Sequence, residues 1–316
     1  MTNHQNNTTT ESTNGYTTPI IVLGTTINSI IIFINAFLLV VVCRASHLRR
    51  NQPNIAFLIS LITTHLAIGL GAFAIIPGYV VAKVSAESMQ NIDHSFQFYF
   101  RFVVSYSYCV LITMLLDRLI TVKKPFLYQR FTHKHAGMVT LLNFTPPSVY
   151  MIFLWWSYDT VSMSCAFLYV FTGGFLVLGN LVIFMDVKRQ LIQIRGHTKM
   201  SRDDSVVATG HKLFKRKLQK SILVSLTFSL SFLVLWSPFM VVIVASIFND
   251  TYYDSSNENL TNILWYVGLT NSIVDPIIYV VLNRPVRKAL FKVLGYRSSK
   301  RSESSTSSKV TSESKN

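Results

Sequence analysis

Polar and apolar positions in this chain are segregated into seven long apolar runs, separated by short blocks that hold most of the charge. A helix that crosses a bilayer needs about 20 largely apolar residues. Runs at 19–43, 53–82, 95–122, 136–156, 162–187, 218–248 and 259–282 meet that length. The fifth carries "TGG" at 172–174 and Asp186 near its end, and stays apolar long enough. The sixth contains Pro238, which predicts a kink because proline removes a backbone donor. No period of about 20 to 50 residues marks a soluble repeat array. The pattern predicts an all-α membrane protein, a seven-transmembrane helix bundle over residues 19–295. A polar tail is expected at 1–18 and a Ser-rich, basic, disordered tail at 296–316.

Composition agrees. Half the residues are hydrophobic and only 14% are charged, against about 25% in soluble domains. The net charge of +15 does not point to nucleic acid, because the bases lie in blocks between apolar runs. Of 29 Lys and Arg residues, all but Lys83 and Arg101 fall on one set of connections or on the C-terminal segment. Basic loops stay on the cytoplasmic side, so the N-terminus is expected outside and the C-terminus inside. Sequons at Asn6, Asn7, Asn249 and Asn259 then lie on the outer face as glycosylation candidates, while Asn143 lies inside the fourth run. The first residues lack the features of a signal peptide, so the first run is expected to act as an uncleaved anchor. Cys43, Cys109 and Cys165 form neither a disulfide framework nor a metal set, and no cofactor is implied.

The third run ends on Asp117 and Arg118. Alone, such a pair reads as interfacial charges that set helix depth. Other stretches change that reading: Asn35, "HLRRNQPN", "DRL", "FLVLWSPF", "NSIVDPIIY" and "NRPVRKALFKVLG" follow in order at matching depths. Together they resemble the rhodopsin-like G-protein-coupled receptors over roughly residues 30 to 295. The resemblance implies that Asp117 holds Arg118 at rest, that helix six pivots at Pro238 below Trp236, and that Tyr279, after Pro276, changes hydroxyl partners. It also implies a short amphipathic eighth helix from Arg284 to Leu294, with bases toward headgroups and Leu290, Phe291 and Leu294 toward lipid. The implied partners are a heterotrimeric G protein, an extracellular ligand and membrane lipids, and the implied location is the plasma membrane.

Several positions depart from the family pattern. His65 stands where the family has the helix-two Asp that binds sodium, and Asp275 stands for the Asn of NPxxY. A polar core of Asn35, His65, Ser107, Asn271 and Asp275 is therefore expected, with His65 donating to Asp275; the alternative is a neutral His65 bonded to a hydroxyl or water. Asp93 occupies the place of the helix-three cysteine, and Cys109 lies about 24 Å deeper along a helix. The family's outer disulfide looks absent, leaving Cys165 as a free thiol or a link between chains. Asn143 replaces the helix-four Trp. Leu218 stands where helix six usually carries an acid, so raised basal activity is expected.

The expected ligand pocket comprises Phe100, Arg101, Val104, Trp236, Phe239, Met240, Trp265 and Tyr266. Phe100 occupies the position of the amine-binding Asp, and Leu269 that of the retinal-binding Lys, so neither a simple amine receptor nor an opsin is expected. Arg101 has two readings, a ligand cation or a snorkelling side chain paired outside with Asp93 or Glu87. Two other functions compete. A signalling-silent receptor follows if the departures abolish coupling. A seven-span transporter would need polar groups along a path, whereas here they cluster at one depth. An intramembrane enzyme lacks a nucleophile at recognisable spacing.

Overall fold

The computed structural model describes residues 18–46, 55–81, 86–124, 126, 128, 130–156, 161–200, 205–248 and 258–295. Among these described residues, seven segments are long and apolar enough to cross a membrane. Four are single helices or parts of them in the order expected: α1 (Thr18–Arg44), α2 (Ile55–Val81), α3 (Ala86–Lys123) and, after the fourth span, α6 (Val161–Met200). The fourth span is divided into α4 (His133–Leu142) and α5 (Thr145–Trp156). Pro146 and Pro147 lie in the first turn of α5, where a missing N–H breaks no helical bond. The sixth span lies within α7 (Ser205–Phe248), and the seventh is α8 (Glu258–Leu269) followed by α9 (Asn271–Leu282). Residues 1–17, Lys83, Asn249 and 296–316, and with them the glycosylation candidates Asn6 and Asn7, lie outside the described residues.

Three helices run past the apolar limits. α3 begins at Ala86 rather than 95, α6 continues to Met200 rather than 187, and α7 starts at Ser205 rather than 218. Hydropathy marks where lipid ends, but a helix continues while its backbone bonds and propensity allow. Cys165 consequently sits within α6 rather than in a loop, with its sulfur 3.5 Å from the Tyr150 hydroxyl. All three cysteines are free.

One apolar core joins the spans, with Ile31, Leu58, Val110, Ile183, Phe232 and Leu269 each wholly or almost wholly buried. Large apolar residues such as Phe33, Leu141, Phe153, Phe171 and Val241 face outward, as a bundle surrounded by lipid requires. Beyond the seventh span, α10 (Arg284–Val293) begins with the Asn283 side chain accepting from the Val286 amide. Val286 is buried against the bundle while Phe291 and Leu294 are exposed. The helix ends at Gly295, whose φ of +76° suits a residue without a side chain.

Candidate functional site

Proline chemistry explains the middle of the bundle. Pro276 cannot donate to the carbonyl of Ser272, four residues back. Asn35 supplies the missing donor from α1, its Nδ2 3.0 Å from that oxygen, and also bonds Ile31 in its own helix. Pro238 leaves the Val234 carbonyl free in the same way, and the Ser237 hydroxyl donates to it at 3.2 Å. One residue earlier, the Leu233 carbonyl accepts from Tyr169 of α6 at 3.1 Å. Freed backbone oxygens in lipid must find such partners, and at both prolines a side chain supplies one.

Asp275 is fully buried beside them. Asn271 donates to its Oδ2 at 2.8 Å, and Ser231 of α7 donates to Oδ1 at 3.2 Å. His65 Nε2 lies 3.8 Å from Oδ2, within ion-pair reach and beyond a hydrogen bond. His65 and Asp275 thus face one another, but the direct donors to the carboxylate are Asn271 and Ser231. Ser107 does not join them: its hydroxyl donates to Val104 in its own helix at 2.7 Å. Ser231 takes part instead, and nothing in its sequence neighbourhood distinguishes it from other serines of the sixth span.

At one end of the bundle, Asp117 is nearly buried with Arg118 Nε 3.8 Å from its Oδ2. The Tyr128 hydroxyl reaches back from beyond α3 and donates to Oδ1 at 3.0 Å. Its ring stacks on Phe131 with centroids 5.9 Å apart. Burial, with the charge of Asp117, pushes the Tyr128 phenol above its ordinary range, so it remains a donor at neutral pH. Tyr279 is buried close by, its hydroxyl facing Arg118 and Asn283 without meeting either in hydrogen-bond geometry. Arg118 borders a space of only about 20 Å³ between α3, α6 and α7, with Met114, Leu176, Val224 and Phe228. The cleft is closed. Lys123 and Asp186, 3.5 Å apart, and Gln190, donating to the Val122 carbonyl at 2.9 Å, clasp α3 to α6 at the same end.

Toward the other end, Phe100 and Trp265 pack at 4.5 Å between ring centroids. Trp236 meets Trp265 edge-on at 5.6 Å, and Phe239 completes the cluster at 5.0 Å from Trp265. Such pairs each add about 0.5–1.5 kcal/mol beyond simple burial. Met240 and Tyr266 are buried and Val104 is partly buried against the same core. Gly268 is what admits Trp236, since a side-chain carbon there would lie 2.8 Å from the indole. Arg101 stands apart, donating to Gln97 on its own helix at 2.8 Å. Sequence reading missed Tyr128 and Gly268, because both matter through contacts with distant segments.

With this geometry in place, the comparisons identify the class. The chain belongs to the rhodopsin family of seven-transmembrane receptors: the family model, 7 transmembrane receptor (rhodopsin family), matches residues 34–279. It is therefore a receptor with transmembrane helices and not an enzyme. The fold resembles that of squid rhodopsin, with a TM-score of 0.73 at 13% identity, over 88% of this chain and 85% of that one. A segment of 92 residues is 32% identical to 5-hydroxytryptamine receptor 1 of Drosophila melanogaster. That alignment takes in 28% of this chain and 16% of the relative's length.

Proposed function

We propose that this chain is a plasma-membrane receptor that passes an extracellular ligand signal to a heterotrimeric G protein. Its N-terminus faces outside and its C-terminus the cytoplasm, in keeping with the distribution of Lys and Arg. The observation that carries the reading is the buried Asp117–Arg118 pair, held by Tyr128 beside Tyr279 and a closed cleft. A G protein entering there would separate α7 from α3 and free Arg118 to meet it. The hinge for that motion is Pro238, two residues from Trp236 and the aromatic cluster. A ligand displacing Trp265 or Phe239 acts on the hinge through direct contact, which turns a small shift into a larger movement at the far end.

The ligand is not a simple amine or retinal, although one relative is a 5-hydroxytryptamine receptor and one fold neighbour a rhodopsin. Phe100 offers no charge for an ammonium and Leu269 no amine for a Schiff base. An apolar or aromatic ligand suits Phe100, Phe239, Met240 and Trp265.

The test compares basal G-protein activation, across a panel of Gα subtypes, by wild type and Arg118→Ala at equal surface density. Signal that falls to the empty-vector level in the variant supports the latch. Signal that persists undiminished in the variant removes Arg118 from coupling. Silence of both, with and without candidate apolar ligands, favours the signalling-silent receptor.

A further inference from the structure

Arg101 lies inside the third span, about 9 Å along the helix from Ser95 at 1.5 Å per residue. Its Nη2 donates to the exposed Gln97 at 2.8 Å, whereas Nη1 is buried and meets no hydrogen-bond partner. Among the described residues no carboxylate stands within ion-pair distance of this guanidinium; the pairs there are His65–Asp275, Arg118–Asp117 and Lys123–Asp186. A guanidinium keeps its proton at any physiological pH, so it cannot escape burial by neutralising. A snorkelling arginine carries its head into water, and here one nitrogen of the head stays covered. We propose that the missing counter-charge arrives with the ligand, as a carboxylate borne on an apolar or aromatic body. This deepens the reading of the chain as a ligand-operated receptor, and its signalling consequence rests on that reading.

The surroundings of Arg101 fit an acid. Tyr150 of α5 lies within range of the Arg101 charge. Its hydroxyl is 3.1 Å from Ser164 Oγ and 3.5 Å from Cys165 Sγ, both on α6. The first distance is long beside the mode of about 2.7–2.8 Å for a hydroxyl donor, so the phenol gains by turning to a charged acceptor. Because Gln97 already occupies Nη2, Arg101 offers one bond through Nη1 and Tyr150 offers the second. The carboxylate is then held between α3 and α5, one oxygen on each. An ammonium in the same place meets a like charge and is repelled.

The body of the ligand follows from the neighbouring residue. Phe100 precedes Arg101 on α3 and packs on Trp265, with centroids 4.5 Å apart, and Trp265 packs on Phe239 at 5.0 Å. An acid anchored at Arg101 therefore brings its apolar part against the aromatic cluster beside Trp236. One end of the molecule supplies the charge and the other displaces the rings. In the ligand-free chain the unpaired donor is a source of instability, a cost that binding sites commonly carry.

The experiment follows the thermal midpoint of the purified full chain in detergent without a G protein, so its outcome is independent of coupling. The probes are phenylbutanoic and phenylhexanoic acids, their methyl esters, and acetate. Arg101→Met removes the unpaired cation and keeps an apolar stem, so the ligand-free midpoint should rise. With wild type, the aryl acids should raise the midpoint as their concentration increases, and the esters and acetate should not. Arg101→Met and Arg101→Gln should weaken the acids about tenfold or more, the factor expected for one charge-assisted bond. Tyr150→Phe should weaken them by a smaller factor. A lower ligand-free midpoint in Arg101→Met shows that the cation is already paired and overturns the proposal. So does the absence of any shift with the aryl acids, an equal shift with their esters, or an equal shift with acetate, which requires only a small anion. None of these outcomes bears on the Arg118→Ala comparison, so failure of the acid site and failure of the receptor reading are told apart.

Discussion

At Asp275 a buried carboxylate is served by Asn271, by Ser231 from a second helix and by His65 from a third, so its neighbourhood is a junction of α2, α7 and α9. Leaving a buried hydrogen-bonding group without its partner costs about 1–3 kcal/mol. Asp275→Asn is therefore expected to lower the thermal midpoint and the surface level. His65→Asp with Asp275→Asn, which restores the family's arrangement, should recover much of both. Unchanged midpoint and expression in the single variant would show that the pair contributes nothing. Tyr128 offers a second test at this scale. A hydrogen bond to a charged group contributes about 1.5–3 kcal/mol, and Tyr128→Phe deletes the one that steadies Asp117. Basal G-protein activation at matched surface density should rise several-fold between pH 6 and 9 alike, since the phenol stays protonated throughout. A variant with wild-type basal output excludes Tyr128 from the latch.

Among the helices, the internal prolines of the sixth and seventh spans carry compensations of opposite origin. Pro276 is answered from another helix by Asn35, so the distortion in α9 also ties it to α1. Pro238 is answered locally by Ser237, and Tyr169 adds only a bond to the Leu233 carbonyl from α6. On the proposed function, the first arrangement resists motion and the second leaves α7 free to pivot. Pro238→Ala gives α7 back a backbone donor for Val234 and should straighten it. Thermal midpoint in detergent should rise while maximal G-protein activation falls. Higher stability with full activation would show that the bend is structural and not the hinge.

Over the whole molecule, the proposal of an outer N-terminus can be tested directly. An epitope placed before residue 1 should be detected on intact cells, and one after residue 316 only once the cells are permeabilised. The reverse pattern would overturn the orientation. Seven spans, their order and the position of Asp117–Arg118 were all legible in the chain, because lipid demands a run of apolar residues about 20 long and that demand is written locally. The nearness of His65 to Asp275 follows from two exchanged positions, but the expected donation does not: the two lie 3.8 Å apart, and Asn271 and Ser231 are the donors. Helix ends were not legible, since α3, α6 and α7 continue beyond the apolar limits that hydropathy marks. Nor was the partner of Pro276 or the reach of Tyr128 to Asp117. Those depend on which side chain arrives from a segment distant in sequence, and packing alone brings such segments within bonding distance. Length and hydropathy set the number of crossings; contacts between crossings set which side chains meet at Asp117, Asp275 and Trp236.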